Sequence, residues 1–484
     1  MEYLHLSITE LHTLLKEGKV TPKQLVDEAI AKAKADSDNC FEYIMEKEAY
    51  EFVNKLGAFD DSNPLWGIPF VIKDNFSTKD VPTCSSSDIL KGYVPVFSAT
   101  AYQKLIDKKA IPIGKTTLDE LAMGGTGTSG HKGKTYNPWD ETHTHQIGGS
   151  SSGSASAVAA SIVPFSIGSD TGDSARKPAS HGGLVGMKPT WGRISRYGLF
   201  PFATSLDHVG FFTRNVRDSA ILLNALAGRD DKDFSSSFKP VDKYEEALLN
   251  PRGKRIAVIK EILNSINNEE IKNTFMNTVY DLKNAGFTVD FVSFDKKLLR
   301  IAYPVYMVLS CAEATSNNAN LDGIKFGPRE AGDTYENIVR NTRTKCFSES
   351  VKKRFVIGSF SLLGENQEEI FKKAQKARRL IVEETNRILK DYDAIYCPAA
   401  PTTAPLFDER KDKLSDEYLI DDNWLTIGNF GGFPSLTLPI GFSMGLPFGA
   451  NFTCRPFEEK ELFAIASVLE EITGLKDLSV KGDK

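Results

Sequence analysis

The sequence predicts an α/β protein in which helices cover a β-sheet. Three observations carry this: capped amphipathic helices open the chain, short apolar strands follow, and the second half alternates strand and helix periods. Ser7-Ile8-Thr9-Glu10 has capping-box spacing, and Thr21-Pro22-Lys23-Gln24 repeats it with proline at the first helical position. Behind the second start, Leu25, Val26, Ala29, Ile30 and Ala33 fall on one helical face. Gly67 to Ile72 reads as a short buried strand, and it ends in the charges of Lys73 and Asp74, where a loop can present them. A helix is expected over residues 98–109 and a strand at Ile111-Pro112-Ile113-Gly114. Farther on, the pattern predicts a strand over 254–260, a helix over 269–284 ending before Gly286, and a strand over 288–292. A long charged helix over 367–390 and an apolar run over 393–397, stopped by Pro398, complete the alternation. No internal repeat is present.

Residues 124–186 are rich in Gly, Ser, Thr and Ala, a composition common in flexible linkers. Val158, Ile162, Phe165, Ile167 and Leu184 are interleaved with the small residues, and a linker has no use for them. The segment is therefore expected to pack, with small residues letting backbone approach backbone or substrate. The 484 residues carry a net charge of −5, which argues against a chain that wraps nucleic acid or lies on an anionic membrane by itself. Six scattered cysteines form no C-x-x-C pair, so no zinc knuckle or redox dithiol is expected, and free thiols suit a reducing cytoplasm. No signal peptide and no apolar run long enough to span a membrane is read.

Three conventional motifs fail. Gly149-Ser150-Ser151-Ser152-Gly153 matches G-x-S-x-G, but that motif needs a strand before the serine, and Thr142 to Gln146 make a poor one. Gly114-Lys115-Thr116 ends like a phosphate-binding loop, yet Lys109 stands where its first glycine belongs. His143 and His145 lack the companions of a metal site and read as exposed histidines, so no metal ligand is assigned.

A fourth pattern remains. Lys73 ends its strand, Gly148-Gly149-Ser150-Ser151-Ser152-Gly153 follows, and then comes Gly168-Ser169-Asp170-Thr171-Gly172-Asp173-Ser174-Ala175-Arg176-Lys177-Pro178, with Ser150 and Ser174 24 residues apart. This ordered set resembles the amidase signature family, whose catalytic set is a lysine, a cis-peptide serine and a nucleophilic serine. The resemblance runs over most of the chain. It implies a large mixed central β-sheet covered by helices on both faces, in a single domain over 1–484. Within that domain it implies an N-terminal helical part (1–60), a catalytic signature core (66–220) and a second half of sheet with the substrate pocket (250–484).

Carried onto this chain, the resemblance makes Ser174 the nucleophile, Ser150 the relay and Lys73 the base. A serine hydroxyl needs a base, and a lysine kept neutral by burial can serve. Backbone N–H groups of Thr171, Gly172, Asp173 and Ser174 become the oxyanion hole. Asp173 departs from the glycine common in the family, and its carboxylate is expected to turn away from the oxyanion.

Arg196 to Asp207, Glu313 to Asn317, Asp322 to Gly327 and Lys373 to Arg378 resemble the glutaminase (A) subunits of glutamyl-tRNA(Gln) amidotransferases. That likeness implies glutamine as substrate, the amidotransferase subunits B and C as partners, and glutamyl-tRNA(Gln) met mainly through the B subunit. ATP and magnesium would be used by the partner, with no cofactor in this chain. Arg354 matches the arginine that grips the glutamine carboxylate and Tyr306 a pocket tyrosine, while the aspartate for the α-ammonium falls at Asp422 or Asn423. A free-standing small-amide amidase and a non-catalytic scaffold subunit stay open as alternatives.

Overall fold

The computed structural model describes residues 2–408 and 424–480. Ser7 and Thr21 each close a capping box, on helices Ile8–Lys16 and Pro22–Lys34, and the second buries the five residues expected on its inner face. These ends follow the sequence because capping is decided within one helical turn.

Eleven strands are described: β1 (Phe41–Ile44), β2 (Pro69–Lys73), β3 (Ile111–Thr116), β4 (Phe165–Asp170), β5 (Val185–Lys188), β6 (His208–Thr213), β7 (Arg255–Ile259), β8 (Thr288–Val292), β9 (Ala394–Pro398), β10 (Ser435–Ser443) and β11 (Leu446–Thr453). They form one sheet in the order β1-β3-β2-β4-β6-β5-β10-β11-β9-β7-β8. The sheet is mixed. β2 runs parallel to β3 and β4, β6 lies antiparallel to β4 and β5, and β7 is parallel to β8 and β9. Every residue of β2, β3, β4 and β6 is buried, so both faces of the central sheet are covered. Phe70 of β2 stacks on Phe165 of β4, with ring centroids 5.5 Å apart.

The Gly/Ser-rich segment supplies the helix Ser152–Ala159, β4, the helix Arg176–Gly182 and β5; it packs as expected from residue 146 to 186, where almost every residue is buried, while most of 124–145 lies nearer the surface. Residues 139–149 form only isolated bridges, so no strand precedes Ser150 and the nucleophile-elbow reading fails on geometry. The helix Glu269–Asn284 and β8 match their predicted spans. The long charged helix is a π-helical turn, Glu368–Lys372, followed by the α-helix Lys373–Asp391. The helix Lys296–Asn317, which holds Pro304 in its interior, was not expected from the sequence. The N-terminal part also contributes a strand, β1, which pairs antiparallel with β3. Among the described residues, no helix is long and apolar enough to cross a membrane.

Candidate active site

β2 and β4 run parallel as neighbours, so Lys73 and Asp170, the last residues of the two strands, lie at the same carboxyl end of them. The helix Ser152–Ala159 runs back along β4: Ser151 Oγ donates to the Ser169 carbonyl (2.9 Å), and Ser154 Oγ donates to the Ile167 carbonyl (3.0 Å). That packing carries Ser150 to Lys73. The Lys73 ammonium nitrogen is fully buried and lies 2.7 Å from Ser150 Oγ, 3.0 Å from Ser151 Oγ and 2.9 Å from Ser169 Oγ. Burial pulls Lys73 down from the usual 10.5 to about 7, against the opposing pull of Asp119, Asp170 and Asp207. The Gly149–Ser150 peptide bond is cis.

Two supports of this lysine cluster carry no sequence signature. Asn75 Nδ2 donates to Ser169 Oγ at 3.0 Å. Buried Asp119 gathers the backbone N–H groups of Thr126, Gly127, Thr128 and Ser129, while its own N–H donates to the Ser150 carbonyl. A Cβ on Gly149 would lie 2.1 Å from Asp119 Oδ2, so only glycine fits there. Nothing in the spacing of Asp119 marks it, because its ligands are backbone amides.

Ser174 is buried, on the turn between β4 and the helix Arg176–Gly182. Beneath that turn Arg176 is fully buried. Its Nε and Nη2 donate to the two oxygens of Asp170 (3.0 and 2.9 Å), and Nη2 also donates to the Gly172 carbonyl (2.8 Å) and Asn429 Oδ1 (2.7 Å). The guanidinium holds the Asp170 carboxyl below the usual carboxylate range despite complete burial. Thr171 Oγ1 donates to Asp207 Oδ1 (2.7 Å), which fixes the other end of the turn. The Asp173 carboxylate pairs with Lys177 Nζ at 2.9 Å, one helical turn on.

Tyr306 closes over this turn: a Cβ on Gly172 would lie 3.1 Å from its ring. Burial raises the phenol, so it stays protonated, with Arg354 nearby lowering and Asp173 raising it. Arg354 Nη1 reaches Met307 Sδ at 3.9 Å, and the guanidinium carbon lies 5.8 Å from the centre of the Phe202 ring. The close crossing of helices Lys296–Asn317 and Glu349–Leu362 sets this placement. A Cβ on Gly358 would lie 2.1 Å from the Cys311 carbonyl oxygen.

Three of the four segments that stood out in the sequence converge here. Ser205 donates through N and Oγ to Glu313 (2.8 and 2.5 Å), Arg378 Nη1 donates to Ser205 Oγ (2.8 Å), and Asn317 Nδ2 donates to the Phe202 carbonyl (3.2 Å). Asp422 and Asn423 lie outside the described residues. His143 and His145 are half-buried rather than exposed, with His143 Nε2 3.3 Å from Asp38 Oδ1 and His145 Nδ1 2.7 Å from Asp140 Oδ2.

The family model described as Amidase matches residues 24–463. The chain belongs to the amidase signature family. Over 482 residues this amidase is 39% identical to the A subunit of glutamyl-tRNA(Gln) amidotransferase from Staphylococcus haemolyticus, covering 97% of this chain and 98% of that one. The protein of the same name from Streptococcus uberis is 39% identical over 480 residues, covering 98% of this chain and 97% of that one. The crystal structure of the corresponding A subunit from Thermotoga maritima superposes with a TM-score of 0.78 at 34% identity, covering 97% of this chain and 95% of that one. The mixed sheet of this amidase is thus the family fold.

Proposed function

We propose that this amidase is the glutamine-hydrolysing subunit of a glutamyl-tRNA(Gln) amidotransferase, with Ser174 as nucleophile, Ser150 as relay and Lys73 as base. The observation that carries the chemistry is a buried lysine, drawn down to about 7, within hydrogen-bond reach of the cis-peptide Ser150. A neutral Lys73 accepts the Ser150 proton while Ser150 takes that of Ser174, and Ser174 Oγ attacks the glutamine carboxamide carbon. The N–H groups of Thr171 to Ser174 receive the developing oxyanion. The proton then returns along the same chain to the leaving nitrogen, ammonia departs, and water hydrolyses the glutamyl-enzyme.

Arg354 suits the substrate's carboxylate, since a guanidinium binds a carboxylate through two parallel hydrogen bonds. Tyr306 forms the pocket wall beside Gly172, and Asp422 or Asn423 is assigned to the α-ammonium. The names and full-length similarity of the relatives support the partnered reading over a free-standing amidase. In it, subunits B and C are the partners in the cytoplasm. The B subunit uses ATP and magnesium and meets glutamyl-tRNA(Gln).

Ammonia release from glutamine, measured with the chain alone and with co-expressed subunits B and C, tests this. Strong stimulation by the partners that vanishes with Ser174→Ala is the expected result. Equal release with and without partners would return the free-standing amidase, and release that survives Ser174→Ala would overturn the nucleophile.

A further inference from the structure

We propose that Glu42, Cys84 and His131 form a binding site for one zinc-class divalent cation, beside the proposed catalytic pocket and separate from it. The three side chains come from β1 and two loops, 42 and 47 residues apart in the chain, and among the described residues they are the one group of His, Cys and acidic side chains with ligand atoms this close. Cys84 Sγ lies 3.7 Å from His131 Nε2 and 3.9 Å from Glu42 Oε2, and His131 Nε2 lies 3.1 Å from Glu42 Oε2. A tetrahedral zinc with one sulfur, one nitrogen and one oxygen ligand separates those atoms by about 3.4–3.6 Å, given its usual bond lengths. Each pair thus needs to move by only about 0.3 Å or less to receive the ion.

The surroundings orient the ligands. His131 Nδ1 faces Asp88 Oδ1 at 3.0 Å, the carboxylate–histidine pairing that fixes a ligating imidazole and makes it more basic. Ser86 Oγ donates to Glu42 Oε1 at 2.5 Å, which leaves Oε2 for the ion. Asp74 Oδ2 lies 3.2 Å from Cys84 Sγ, but it already accepts from the N–H groups of Cys84 and Ser85, so it aims the thiol without ligating. The His131 side chain is 18% exposed, so water can reach the fourth position.

Lys132 Nζ, 3.5 Å from Glu42 Oε2, and Lys115, paired to Asp74 at 3.1 Å, are the cations a metal must tolerate. Without an ion, His131 bridges Asp88 and Glu42 through its two ring nitrogens, at 3.0 and 3.1 Å. A divalent cation reverses the local field, and its ligands bind it as thiolate, neutral imidazole and carboxylate. A mixed S, N and O set favours zinc or cobalt over magnesium or calcium.

Cobalt(II) titrated into the untagged, chelator-stripped full chain tests the site. One cobalt per chain is expected, with a thiolate-to-cobalt charge-transfer band in the near ultraviolet that zinc abolishes. Cys84→Ser removes the band, and Asp88→Asn weakens binding about 10–100-fold. Thermal melts verify that each variant is folded, and His131→Gln, on a partly exposed loop, replaces Cys84→Ser if the latter does not fold. No band in the parent protein, a band that survives Cys84→Ser, or unchanged affinity in His131→Gln overturns the proposal.

Discussion

Arg176 Nη2 lies 2.8 Å from the carbonyl oxygen of Gly172. In a trans peptide the carbonyl and the following N–H point in opposite directions. With the Gly172 carbonyl drawn under the turn, the Asp173 N–H faces away from the guanidinium, as an oxyanion donor must. Arg176 therefore positions the turn without meeting substrate. Lysine at 176 cannot grip both oxygens of Asp170 and the Gly172 carbonyl together. We expect Arg176→Lys to lower kcat for ammonia release about 10²–10³-fold, the cost of a lost oxyanion donor. Arg176→Met leaves Asp170 buried and unpaired, and urea unfolding should show a loss of about 3–5 kcal/mol. Parental kcat in Arg176→Lys would mean the turn holds its shape unaided.

Lys73 works as a base only when unprotonated. With its value near 7, kcat/KM for glutamine should climb as pH rises through neutrality and level off above it. The folded value lies below the usual 10.5, so between about 7 and 10.5 the unfolded chain binds more protons and the Lys73 contribution to stability increases with pH. Lys73→Met should abolish both activity and that stability slope. A rate profile flat through neutrality would exclude Lys73 as the base.

Gly172 and Tyr306 are in contact, so their substitutions should couple. A methyl group at 172 meets the Tyr306 ring, and Gly172→Ala should depress kcat strongly. Tyr306→Ala in the same chain should restore part of that loss, with a coupling energy of about 0.5–3 kcal/mol in a double-mutant cycle. Additive losses would show that the ring does not press on the turn.

The proposed mechanism uses the Asp173 N–H, while the carboxylate of Asp173 pairs with Lys177. Asp173→Asn should keep activity within about fivefold and cost no more than about 1 kcal/mol, as for a partly exposed ion pair. A loss beyond about 100-fold would place the carboxylate in the chemistry.

Arg354→Lys keeps the charge and loses the planar pair of donors. It should raise KM for glutamine more than tenfold (roughly 1.4 kcal/mol or more) with little change in kcat, the signature of lost uniform binding. An unchanged KM would remove Arg354 from carboxylate recognition.

What the sequence determined by itself is either local or carried by ordered motifs. Caps at Ser7 and Thr21 and the left-handed Gly286 set element ends within a few residues of themselves, so those ends were legible. Lys73, Ser150 and Ser174 stand out in the sequence through their order along the chain, although each alone is an ordinary residue. Only the tertiary structure decided what surrounds them. The sheet order places Ser435 of β10 beside Lys188 of β5 and brings Asn429 to Arg176, pairings that no local period encodes. Asp119 beneath the cis-peptide serine, Gly358 at the helix crossing and the Glu42–Cys84–His131 cluster depend in the same way on chain segments distant in sequence. Hydrogen bonds within a turn of helix are written in neighbouring residues, whereas the contacts that tune a buried lysine or converge on an ion exist only once the sheet has closed around them.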